Sequence, residues 1–131
     1  MIRNYASHDV YNTDETGLFW LQAPDNTLVI KAQSGTKKKK SRITLLPTAN
    51  ADGTHKLDLW VIGHFKNPRP FGKNSCKTLG LPFVWRYNKK AWMTAVIFIE
   101  YLRWFDGQMA GRKVLLLVDG FSAHISAIEQ L

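Results

Sequence analysis

A single cysteine, Cys76, is all the thiol chemistry this chain of 131 residues carries. One thiol cannot close an internal disulfide and cannot furnish a paired Cys/His metal site, so both frameworks are excluded. Long apolar runs are missing as well. Runs such as "VLLLV" at 114–118 fall far short of the about 20 residues a membrane-spanning helix needs, and no apolar stretch near the start has the form of a secretory signal. A soluble, intracellular chain with no membrane partner is the expectation. Acidic charge is scarce too: 10 Asp+Glu stand against 18 Lys+Arg, a formal net charge of +8. That balance favours encounter with polyanions such as nucleic acid and says nothing about fold.

What is present suits one globular domain. Hydrophobic residues make up 45% and charged residues 21%, which argues against intrinsic disorder. A chain of this size buries roughly two thirds of its unfolded surface. The stretch His8 to about Asp14 reads as a first strand ended by "ETG", and "KAQSGTKKKKSR" at 31–42 as a basic loop. "RITLLPTAN" and "LDLWVIG" (57–63) read as antiparallel strands joined through Asp52-Gly53, since both residue types tolerate a tight turn. Residues 64–87, with Pro68, Pro70, Pro82 and Cys76, read as a long irregular loop. The period then changes: Phe98, Leu102, Phe105 and Met109 make the buried stripe of a helix, with Thr94 as N-cap and Gly111 as stop. "VLLLV" does not alternate, which suits a strand covered on both faces in a parallel sheet. A short helix, "AHISAIEQL", follows. The predicted order is β-β-β-α-β-α, an α/β architecture.

Two of these strands end in carboxylates, Asp14 and Asp119, although Asp is disfavoured in strands. If the last strand lies parallel beside the first, both side chains reach one sheet edge, where open α/β sheets place ligands. Strands are about 4.8 Å apart, so the pair can share one hard cation. Mg²⁺ takes oxygen ligands, and two such ions about 3.5–4 Å apart activate water for phosphodiester cleavage. The plainer alternatives are that Asp119 caps the following helix and Asp14 shapes a turn.

Five collinear blocks carry more than spacing: "VYNTDETGLFW", "KKKKSRITLLPTANADGTHKLDLWVIGHFKNPR", "NKKAWMT", "RWFDGQM" and "KVLLLVDGFSAH". Together they resemble the DDE transposase domain of the pogo/Tigger group, to which centromere protein B-like proteins are related. The resemblance implies an RNase H-like mixed sheet in a single partial domain over 1–131. It also implies that Asp14 and Asp119 are the first and second catalytic, metal-binding acids. The implied cofactor is Mg²⁺ or Mn²⁺, the partner DNA, the reaction strand cleavage and transfer, and the location the nucleus. Glu15, one step along the strand, is expected to point to the opposite side as a structural neighbour. The family often has Asn where this chain has Gly120, and its third acid lies beyond a further strand, whereas the sequence ends at Leu131. Glu129 sits on the wrong element to replace it. The upstream helix-turn-helix modules of the family are also missing.

The expectations that follow are an open apolar edge on the "VLLLV" strand, inviting self-association, and negligible strand cleavage by the chain alone. A non-catalytic nucleic-acid-binding remnant is the alternative reading, and a fragment without function a third. The tract Lys37, Lys38, Lys39 and Lys40 with Arg42 fits phosphate contacts, a nuclear import signal, or a solvated loop. Lys66, Arg69 and Lys73, interleaved with Phe65 and Phe71, admit the same alternatives. His124 lies near Asp119 in sequence and either joins the site or packs. Trp92, Trp104 and Phe105 read as core.

Overall fold

Side chains that favour a pleated surface fill the first half of the chain, and they pair there into one bent antiparallel ribbon. The computed structural model describes residues 4–22, 40–72 and 80–131. Its strands are β1 (Val10–Thr13), β2 (Thr16–Gln22), β3 (Lys40–Leu46), β4 (Thr48–Asn50), β5 (Leu59–Gly63), β6 (Phe83–Tyr87) and β7 (Leu115–Leu117); its helices are α1 (Ala95–Met109) and α2 (Ser122–Gln130). Strands are ordered β4-β1-β7 in one sheet and β2-β3-β5-β6 in the other.

The two sheets are halves of one ladder. Thr13 stands opposite Thr48 and Thr16 opposite Leu45, so β1–β2 and β4–β3 keep a single register across the gap between them. Asp14 and Glu15 fill that gap on one side, and Pro47, which has no N–H to donate, lies on the other. The ladder is broken where the sequence is least suited to continue it. "ETG" therefore interrupts the first strand but does not end it: Thr16, Gly17, Leu18 and Phe19 resume pairing with β3, and Trp20 falls at a register shift. The first strand also begins later than expected, at Val10, because Ser7–Asp9 form a 3₁₀ turn.

The strand expected over 57–63 begins at Leu59 and pairs antiparallel with β3 through Trp60, Val61 and Ile62, and the turn before it holds Gly53 at φ 74°. Residues 64–87 are not wholly irregular: β6 runs parallel to β5, from Leu59 beside Phe83 to Gly63 beside Tyr87. The proline and glycine content of the segment hid five residues, "FVWRY", whose aromatic and β-branched side chains suit a strand. The basic stretch read as a loop over 31–42 is strand from Lys40 onward, and its earlier residues lie outside the described ones.

Helix α1 begins at Thr94, whose hydroxyl accepts from the Ile97 N–H, and closes with Ala110 and Gly111 in left-handed conformation. Ile97, Phe98, Tyr101, Phe105 and Met109 bury its inner face against Tyr11, Leu46, Trp60 and Ile62 of the sheet. Leu102 is only half-buried. The rings meet edge to face, Tyr11 with Phe105 at 5.4 Å and Trp60 with Tyr101 at 5.5 Å. Arg86 ties β6 to the helix through Glu100 (2.5 Å) and lies over the Trp60 ring. After α1, β7 returns parallel to β1, with Val10 beside Leu115 and Asn12 beside Leu117. It is not covered on both faces: Leu115 and Leu116 are half-buried and Leu117 is 36% exposed. Trp104 and Phe105 belong to the core as expected, but Trp92 is 50% exposed and does not.

Gly63 is the tightest point of the sheet, because a Cβ there would meet the Trp85 ring at 2.1 Å. Gly63→Ala is expected to lower stability by about 1–3 kcal/mol through overpacking. Urea melts check this, and the cost shrinks in a Trp85→Leu background if the indole is the cause.

Candidate metal centre and basic surface

The break between β1 and β2 and the end of β7 fall at the same sheet edge because those strands run parallel and in register. Asp119 follows β7 by two residues and precedes α2, and its Oδ1 accepts from the Phe121 N–H at 3.2 Å. Asp119 does not cap the helix, whose N-cap is Phe121; its bond closes the turn that leads into α2. That bond uses one carboxylate oxygen and leaves Oδ2 without a protein contact among the described residues.

His124, on the first turn of α2, is fully buried and stacks on Phe98 with ring centroids 4.1 Å apart. Its Nδ1 lies 2.8 Å from Asp119 Oδ1, and its Nε2 bonds Glu15 Oε1. Ligand atoms of Glu15, Asp119 and His124 all fall within 4.8 Å of one another. With both ring nitrogens facing carboxylates, the imidazole donates from both sides only in its protonated form. Burial is the largest influence on its pKa and pulls it down. The hydrogen bond and charge of Glu15, then the backbone carbonyl and charge of Asp119, outweigh burial and leave it raised above 6.5.

Asp14 is exposed at the same break and lies outside that three-residue cluster. Burial alternates along Tyr11, Asn12, Thr13, Asp14 and Glu15, so Glu15 lies on the other side from Asp14 as expected; that side is the inner one, and there Glu15 meets His124. The role of Glu15 was missed from sequence. The nearness of His124 to Asp119 was legible as one helical turn of spacing, but its second carboxylate was not. Glu129 is exposed near the end of α2, outside the cluster.

Under the break runs a relay of hydroxyls. Thr13 donates to the Pro47 carbonyl at 2.9 Å, Thr48 donates to Thr13 at 3.1 Å, and the Tyr101 hydroxyl meets Thr48 at 2.7 Å. Each hydroxyl has one proton, so Tyr101 must donate into Thr48. Burial raises the Tyr101 pKa above 10 against the lowering effect of Thr48 and Thr13, and the Glu15 charge adds to the rise. The phenol therefore keeps its proton at neutral pH, and α1 stays tied to β4 and, through Thr48, to β1.

Two carboxylates from adjacent strands suit a hard divalent cation, which prefers oxygen ligands. The ligand atoms that lie together are those of Glu15, Asp119 and His124, with Asp14 outside the group.

The basic residues are spread over the other sheet. Lys37, Lys38, Lys39 and Lys73 lie outside the described residues. Lys40 opens β3, and Arg42 sits within that strand, half-buried, directly opposite Phe19. Lys66 and Arg69 are exposed between β5 and β6.

Residues 40–131 match the family model described as DDE superfamily endonuclease. ARS-binding protein 1 of Schizosaccharomyces pombe is 44% identical over 124 residues, covering 95% of this chain and 24% of that protein. CENP-B homolog protein 2 of the same organism is 42% identical over 131 residues, 100% of this chain and 26% of the relative. Tigger transposable element-derived protein 4 of Mus musculus is 37% identical over 127 residues, 94% of this chain and 24% of the relative. The chain thus spans about a quarter of the length of these curated relatives. No solved structure matches it.

The His124 ion cluster predicts a pH dependence. A pKa raised on folding means the folded state holds its proton more tightly, so the stabilisation is complete below the unfolded value near 6.5 and is lost as pH rises through the folded value. In chelator, the melting temperature is expected to fall as pH is raised above that range, and His124→Gln flattens the fall. An unchanged slope in the variant contradicts the assignment.

Proposed function

Because the chain belongs to the DDE superfamily endonuclease family, we propose that it is the acidic, metal-binding part of a transposase-derived DNA-strand-processing domain with an RNase H-like sheet. Asp14 and Asp119 are its metal ligands and candidate catalytic acids, with Mg²⁺ or Mn²⁺ as the cation. The observation that carries this reading is the parallel, in-register pairing of β1 with β7, which sets carboxylates from two strands at one edge. The exposure of Asp14 supports it as a ligand, because Glu15 is already committed to His124.

The metal, when bound, supplies Lewis-acid activation of water and stabilisation of a leaving oxygen in phosphodiester cleavage. This chain's residues supply the rest. His124 orients Asp119 by charge and packing, and the Thr13–Thr48–Tyr101 relay fixes the strand end that carries Asp14. DNA is the partner, and the basic tract of the sequence, Lys37, Lys38, Lys39 and Lys40 with Arg42, supplies positive charge for it. A nuclear setting is part of the same reading, supported by the ARS-binding and CENP-B homolog names of the relatives. Self-association is part of the same reading, since β7 pairs only with β1 among the described residues.

A ligand that binds only the folded state raises its melting temperature. Mn²⁺ is therefore expected to stabilise the chain in a thermal-shift assay, with the gain lost in Asp14→Asn and in Asp119→Asn and kept in Glu129→Gln. Loss of the gain in Glu15→Gln together with its retention in Asp14→Asn would sink this ligand assignment.

A further inference from the structure

Trp92 was expected in the core and is not there, and the loop that presents it is built with unusual care. Asn88 knots the loop: its Oδ1 accepts from the backbone N–H of Lys90 (3.2 Å) and of Trp92 (3.1 Å), and its Nδ2 donates to the Trp92 carbonyl at 2.6 Å. Ala91 is fully buried with φ 53°, a left-handed conformation that costs a non-glycine residue energy and persists only where surroundings enforce it. The Thr44 hydroxyl enforces it by donating to the Ala91 carbonyl at 2.7 Å, and Asn88 N–H is fixed to the Gly63 carbonyl at 3.0 Å. The segment is thus anchored to β3 and β5 and holds its indole outward.

The chemistry around that indole is cationic and aromatic. Lys90 Nζ lies 5.0 Å and the Arg42 guanidinium 5.7 Å from its ring centroid. Phe19, 46% exposed, stands across from Arg42 on the neighbouring strand, and Lys89 is exposed beside Lys90. Arg42 is held in place by donating to Thr44 at 3.3 Å, the same hydroxyl that locks Ala91. Among the described residues, none of Arg42, Lys89 and Lys90 forms an ion pair, so three positive charges face a partner still to come.

We propose that this surface binds single-stranded DNA, with Arg42, Lys89 and Lys90 taking phosphates and Trp92 taking the face of an unpaired base. A duplex offers such a surface only phosphates, because its base faces are stacked inside. A single strand offers both phosphates and π faces, the combination that basic grooves with exposed aromatics recognise. The proposal shares the DNA partner of the preceding reading but none of its metal residues.

The test is fluorescence anisotropy of the whole chain with a labelled oligothymidine of 15 nucleotides, in EDTA, across a salt series. Binding is expected to weaken with salt, and Lys90→Gln to reduce the log–log salt slope by about 0.7. Trp92→Ala is expected to weaken binding by roughly tenfold, within the range measured for a base–aromatic stack. Trp92→Phe keeps most of the affinity, and melting curves of both variants report whether the fold is intact. A mixed-sequence duplex of the same length binds more weakly and does not sense Trp92→Ala. If the oligothymidine binds but Trp92→Ala and Lys90→Gln leave it unchanged, this site is wrong and the DNA partner stands. If neither single strand nor duplex binds, the DNA partner falls as well, while the Mn²⁺ shift remains an independent check of the carboxylates.

Discussion

Val10 beside Leu115, Tyr11 beside Leu116 and Asn12 beside Leu117 join the first strand of the ribbon to the last strand of the sheet. Parallel strands need a crossover, and here α1 supplies it while covering the core face with Phe98, Tyr101, Phe105 and Met109. Every feature of the acidic edge depends on that pairing. It sets the end of β7 level with the break after β1, and it delivers α2 so that His124 reaches Glu15, 109 residues away in sequence. The aromatic contact between Tyr11 and Phe105 locks the same geometry from within the core.

Glu15 and Asp119 converge on the His124 imidazole between them. His124 is buried against Phe98 and packs edge-on with Phe121, and burial pulls its pKa down while the hydrogen bond and charge of Glu15, then those of Asp119, leave it raised. These contacts tie α2 to the strand ends, with Asp14 exposed at the same break. The hydroxyl relay from Pro47 to Tyr101 works on the backbone of the same strand end. Side-chain charge and backbone position are thus fixed by two separate devices.

Basic and acidic chemistry occupy different parts of the bent ribbon. The β1–β4–β7 half carries the carboxylates, whereas β3 of the other half carries Arg42 and packs under the loop that presents Trp92. Thr44 is the hinge between packing and display. It pairs with Ile62 in the ladder, accepts from Arg42, and donates to the carbonyl of strained Ala91.

Period and residue type made much of this molecule legible. The stripe Phe98, Phe105 and Met109, the Thr94 cap, the Asp52-Gly53 turn and the carboxylates at two strand ends are local signals, and local chemistry determined them. Matching blocks along the chain carried the family, because those residues recur as a set. Tertiary structure alone decided the rest. Glu15 keeps the inner side that Tyr11 and Thr13 occupy, and its partner His124 reaches it only once α2 has been delivered to the strand end. "FVWRY" became a strand because β5 offered it an open edge, despite its proline-rich surroundings. Trp92 looked like core by composition, since size and hydrophobicity carry no information about which way a knotted loop will face. His124 acquired its two carboxylates from residues whose proximity exists only after β1 and β7 have paired.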